Sequence, residues 1–127
     1  MNKLQWHDDY SVGDEVIDGH HKTLFRIYNI LHDIVINGSK IGTFVGVVGD
    51  LVCYSEYHFR AEEQLMKDNN YCNIELHIAE HRCFTGKVTY LNDNFADFNT
   101  GMCRDLLVYL GSWLKQHVAE EDKKIVA

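Results

Sequence analysis

The stretch YHFRAEEQLM, residues 57–66, sets His58 and Glu62 four positions apart within an otherwise apolar helical pattern. Residues four apart on a helix share a face. An imidazole and a carboxylate therefore point to the same side as the surrounding stripe of Phe44, Val47, Val48, Leu51, Tyr54 and Leu65. Polar groups facing a core are costly unless paired. The rest of the chain repeats the anomaly. His77 and His81 form HxxxH, His117 and Asp122 form HxxxxD, and His21 falls on a fourth stripe.

Those stripes define four helices. The first is expected over 18–37, with His21, Leu24, Phe25, Tyr28, Leu31 and Val35 inward, and NGSK at 37–40 ends it. The second is expected over 41–68, followed by a turn at DNNY, 68–71. Its Gly42, Gly46 and Gly49 weaken its start and would allow a close helix approach. The third is expected over 73–95, with Asn73 as N-cap and a loop at DFNTG, 97–101. The fourth is expected over 102–121, with Cys103, Leu106, Leu107, Leu110, Trp113, Leu114, His117 and Val118 inward. Residues 1–17 read as an irregular arm anchored by Trp6, Tyr10, Val12, Val16 and Ile17. Long helices joined by short loops predict an all-α, antiparallel up-down four-helix bundle. A length of 127 residues suits a single domain spanning 1–127.

Composition narrows the function. A net charge of -7 disfavours nucleic acid, whose phosphates need a basic surface. No apolar run reaches the roughly 20 residues of a membrane span, and no basic amphipathic segment suggests a membrane surface. The first residues lack the apolar core of a signal peptide, which leaves the cytoplasm as the expected location. The four cysteines, without a CxxC, read as buried or half-buried thiols. His7 and His32 read as surface groups or outer partners of the site, and Glu63 as an outward charge or a hydrogen-bond acceptor. His20 is expected to face outward, because consecutive helical residues differ by about 100°.

Five inward histidines and two carboxylates exceed the four donors of a tetrahedral zinc site. Two six-coordinate ions, bridged by two carboxylates and an oxygen and otherwise held by five imidazoles, keep one open position. Such a position suits a small diatomic ligand. An imidazole-rich shell, unlike the anionic shell of carboxylate-dominated di-iron bundles, favours reversible cycling over high-valent oxidation.

The chain resembles a hemerythrin, of the single-domain bacteriohemerythrin kind. The resemblance is carried by Trp6, YSVGDEVIDGHHKTLF at 10–25, YHFRAEEQLM at 57–66, HIAEH at 77–81 and WLKQHVAEED at 113–122. It implies two non-haem iron ions with an oxo or hydroxo bridge. His77, His81 and His117 would hold one iron and His21 and His58 the other, with Glu62 and Asp122 bridging. Leu24, Phe59, Trp113 and Leu114 would wall the O2 pocket, while ordinary core packing would bury the same four. Two positions depart from the family pattern: His20 stands where glutamine is frequent, and Cys72 where proline is common. The implied function is reversible O2 binding for oxygen storage, transport or buffering, not enzymatic turnover. The alternatives are an O2 or redox sensor acting through a partner, and a peroxide or nitric oxide reductase. A protein recipient or reductase is a partner the sequence does not name.

Overall fold

A computed structural model describes residues 3–38, 41–93 and 100–126 of the chain. Four long helices form an antiparallel bundle: α1 (Glu15–Asn37), α2 (Ile41–Asp68), α3 (Ile74–Asp93) and α4 (Thr100–Gln116). A π-helical turn (His117–Glu121) and a short α5 (Asp122–Val126) continue from α4. No strand occurs among the described residues. α1 packs on α2 and α4, and α3 packs on α2.

α1 begins three residues earlier than the apolar pattern alone indicates. Asp14 is the reason: its carboxylate accepts from the backbone N–H groups of Val16 and Ile17, satisfying donors that a helix start leaves open. Val16 is consequently on the outward face, 63% exposed, and is not an anchor of the arm, whereas Ile17 is buried. At the other end Gly38 adopts φ 68°, and its N–H reaches the carbonyls of Ile34 and Val35. That left-handed cap suits glycine, which has no Cβ to clash. The arm is less irregular than expected, with a 3₁₀ turn at Asp8–Tyr10. Leu4 is tied to α1 through both backbone groups, which bond the Asn29 side-chain amide at 2.8 Å. Trp6 and Tyr10 pack against Phe25.

The core follows the stripes. Leu31, Val48, Leu51, Leu107 and Leu110 are fully buried, and burying each such side chain stabilises the fold by about 2 kcal/mol. Leu65 is only half-buried, and Met66 takes the buried position beside it. α4 starts at Thr100, inside the loop expected at 97–101, while Phe95 and residues 97–99 lie outside the described residues. Three of the four cysteines, Cys53, Cys72 and Cys83, are exposed, and only Cys103 is buried. Cys53 and Cys83 sit on the outer faces of their helices and Cys72 in the α2–α3 turn, so the expectation of buried thiols fails for all three. His32 goes the other way, to 8% exposure on the α1 stripe, while His7 is exposed.

Close helix approach is made at Gly111 of α4 and not at Gly46 of α2. Gly46 has open space where a Cβ would be. A Cβ at Gly111 of α4 would meet the buried Tyr28 of α1, at 2.9 Å from its hydroxyl oxygen and 3.2 and 3.3 Å from ring carbons. Gly111→Val is therefore expected to lower stability by about 1–3 kcal/mol through overpacking. Gly46→Ala should raise it by up to about 1 kcal/mol, because it gains helix propensity in open space. Denaturant unfolding of the two variants checks the pair, and a neutral Gly111→Val contradicts the packing described.

Candidate metal centre

α1 brings His21, α2 brings His58 and Glu62, α3 brings His77 and His81, and the π-helical turn and α5 that continue from α4 bring His117 and Asp122. All seven are at most 3% exposed. The pairs on α2 and α3 converge by ordinary four-residue spacing. His117 and Asp122 are five apart, which would place Asp122 off the stripe of a regular α-helix. The π-helical turn between them corrects this: the backbone N–H of Asp122 donates to the carbonyl of His117, an i→i+5 bond. Single π turns of this kind recur at functional sites. The opposite end of α5 is held by Asn69, whose amide donates to the carbonyl of Ile125 at 3.2 Å.

The donor atoms fall into two groups. Atoms of Glu62, His77, His81, His117 and Asp122 lie within 4.8 Å of one another, as do atoms of His21, His58, Glu62 and Asp122. The two carboxylates belong to both groups. Asp122 divides its oxygens between them. Oδ1 lies 2.8 Å from His117 Nε2 and 3.1 Å from His77 Nε2, and Oδ2 lies 2.7 Å from His21 Nε2. Glu62 Oε1 meets His58 Nε2 on one side and His117 Nε2, at 3.1 Å, on the other.

Several of these atoms lack an aligned hydrogen bond despite full burial: His21 Nε2, His58 Nε2, His77 Nε2, Glu62 Oε2 and both Asp122 oxygens. Burying so many unmatched polar atoms is unfavourable. The same atoms are the lone-pair donors that a cation requires, and a mixed imidazole and carboxylate set suits a transition metal. The residues present therefore fit a non-haem metal centre.

Outer contacts fix several rings. Phe59 lies flat on His81 (centroids 3.9 Å apart, planes 10°), and Trp113 flat on His117 (4.4 Å, 14°). Both aromatics thus cover the three-imidazole group. Leu24 and Leu114, one turn from His21 and His117, are buried in the same apolar cluster. Open cavities of about 200 Å³ reach the outer sides of His117, beside Glu80 and Gln116, and of His81, beside Arg60 and Arg82. Glu63 is not simply an outward charge, because its Oε2 lies 3.2 Å from His81 Nδ1.

His20 is not outward either. It is 7% exposed, and its Nδ1 lies 3.0 Å from Nδ1 of His58. The α1 stripe is wide: Ile17, His20, His21, Leu24, Phe25, Tyr28, Leu31, His32 and Val35 are all buried. A 100° step from His21 therefore stays inside the interface, on the flank facing α2. The spacing 17, 20, 24, 28 was the sequence signal for this, since it places His20 on a helical row of its own.

The protein groups alone form an ionic cluster. Burial opposes ionisation of Glu62 and Asp122, but the neighbouring histidines, His58 and then His117 for Glu62 and His117 for Asp122, hold both carboxyls below their usual range. Against burial, Asp122 and Glu62 raise His77 to about 9 and His117 to about 10. Burial lowers His81 to about 3.

A family model, the hemerythrin HHE cation binding domain, matches residues 12–127. The bacteriohemerythrin of Clostridium acetobutylicum is 27% identical over 125 residues, covering 95% of this chain and 97% of that protein. The bacteriohemerythrin of Pseudomonas paraeruginosa is 33% identical over 123 residues, covering 96% and 78%. The crystal structure of wild-type hemerythrin superposes with a TM-score of 0.83 at 25% identity, covering 99% of this chain and all of that one.

The raised histidines have a consequence for pH. Their contribution to the stability of the metal-free protein is complete below the unfolded pKa of about 6.5 and is lost as pH rises through 9 to 10. The depressed carboxylates act oppositely, their contribution present above about pH 4 and lost as pH falls further. His81, lowered by burial to about 3, adds a loss that begins as pH falls below about 6.5. Thermal unfolding of metal-free protein should therefore show a midpoint that declines from pH 7 to pH 10 and again as pH falls below about 6. A midpoint that rises between pH 7 and 10 contradicts the ionic cluster.

Proposed function

The chain belongs to the hemerythrin family, and we propose that it binds O2 reversibly at a non-haem di-iron site for oxygen storage, transport or buffering. The observation that carries this reading is the sharing of two buried carboxylates between two groups of imidazoles. His77, His81 and His117 would hold one iron and His21 and His58 the other, with Glu62 and Asp122 bridging and an oxo or hydroxo group between the ions. Held there, two irons would supply the reversible two-electron chemistry that O2 binding needs.

The chain's own residues have three tasks in this account. The five imidazoles are neutral donors, so metal entry must displace the protons that His77 and His117 hold at neutral pH. Glu62 and Asp122 then remain as the anionic charge of the cluster. Leu24, Phe59, Trp113 and Leu114 wall the pocket and exclude water, which slows irreversible side reactions of bound O2. The whole site would lie within a single hemerythrin-like domain spanning residues 1–127. No described helix is long and apolar enough to cross a membrane, in keeping with action in the cytoplasm on a diffusible gas.

The test is anaerobic reduction of iron-loaded protein followed by air, watched by visible absorption. A charge-transfer band that appears with O2 and disappears on degassing is expected, and its absence, or steady turnover of O2 with added reductant, contradicts a carrier. Glu62→Ala and His77→Ala should each lose stoichiometric iron, read by elemental analysis, and either variant retaining two irons with native spectra removes that residue from the donor set. Leu114→Ala should keep its iron but oxidise irreversibly severalfold faster in air, since the truncation admits water. An unchanged rate removes Leu114 from the pocket wall.

A further inference from the structure

We infer that His20 is a positioning residue: it accepts a hydrogen bond from Nδ1–H of His58 and thereby presents His58 Nε2, lone pair free, to the two-imidazole end of the metal centre. The inference rests on the metal-site reading above and adds a residue and an atom-level role to it. His58 Nε2 faces the carboxylates, meeting Glu62 Oε1 and lying 4.0 Å from Asp122 Oδ2. A neutral imidazole carries one proton. For Nε2 to offer a lone pair to a cation, that proton must sit on Nδ1. The group placed to receive it is His20 Nδ1, at 3.0 Å. His20 must then carry its own proton on Nε2.

The two rings stand nearly perpendicular, at 88°, with centroids 5.1 Å apart. His20 is held in that pose by Tyr54, edge-on at 5.9 Å, and Tyr57 at 5.1 Å. It is not itself a member of either donor group, and its Nδ1 faces His58 instead. On the three-imidazole side the corresponding contact is Glu63 with His81 Nδ1. One end of the centre is thus backed by a carboxylate and the other by a second imidazole. Partners that fix the tautomer of a metal-binding histidine typically matter about 10- to 100-fold in metal affinity.

Zinc(II), which is diamagnetic and takes imidazole and carboxylate donors, is the probe. Full-length protein labelled with ¹⁵N at histidine and loaded with zinc should show a proton on His58 Nδ1 with scalar coupling across the N–H···N bond to His20 Nδ1. His20→Leu, which keeps bulk but cannot accept, should abolish that coupling and weaken the binding of one of two zinc ions by about 10- to 100-fold. His20→Gln, whose carbonyl can accept, should restore affinity to within a few-fold of native. Native protein that binds two zinc ions with the proton on His58 Nε2 overturns the inference and leaves the metal-site reading intact. A His20→Leu variant that binds both ions as tightly as native does the same. Native protein that takes up no zinc overturns the metal-site reading, and the role of His20 with it.

Discussion

Two carboxylates buried among five imidazoles dictate the rest of this structure. Glu62 and Asp122 are almost wholly removed from water, a costly place for negative charge unless compensated. The protein compensates by surrounding them with rings from α1, α2, α3 and the π-helical turn that continues α4. In the absence of a cation that compensation is made with protons, as the raised His77 and His117 record. It is geometrically incomplete, since several donor atoms remain out of alignment. A pair of cations would match the arrangement better than protons do, because each cation can take lone pairs from several directions at once.

The fold serves that arrangement through helix phase. α1 brings a single donor, and α2 and α3 need only regular α-helix, where a four-residue step keeps two donors on one face. The fourth needs the π-helical turn at His117–Glu121, which brings Asp122 back toward the bundle axis. Apolar packing then fixes the rings. Phe59 and Trp113 stack flat on His81 and His117, and Leu114 and Val118 fill the core beside them. Rings held this way lose little further freedom when they bind, which is what preorganisation means for a metal site.

Much of this was legible in the sequence. The four stripes, their 3–4 alternation and the short loops determine a bundle, and a bundle determines that His21, His58, Glu62, His77, His81, His117 and Asp122 meet. The five-residue step from His117 to Asp122 also announced a local irregularity. What escaped depended on the width of a buried face, which periodicity alone does not measure. His20 and His32 seemed a step off the stripe, but α1 lies between α2 and α4 and buries a broader face than one row of residues. The cysteines failed in the opposite sense: a residue type that favours burial says little when its position points outward. Gly111 was invisible for a similar reason, because only the partner helix reveals that Tyr28 stands over it.

The central claim, that seven inward donors hold two ions sharing two carboxylates, is tested most directly by X-ray absorption spectroscopy on iron-loaded, fully folded protein, calibrated by iron content. The account predicts two irons per chain, each with a scattering contribution from the other metal at bridging distance. One iron per chain, or two with no metal–metal contribution, would contradict it.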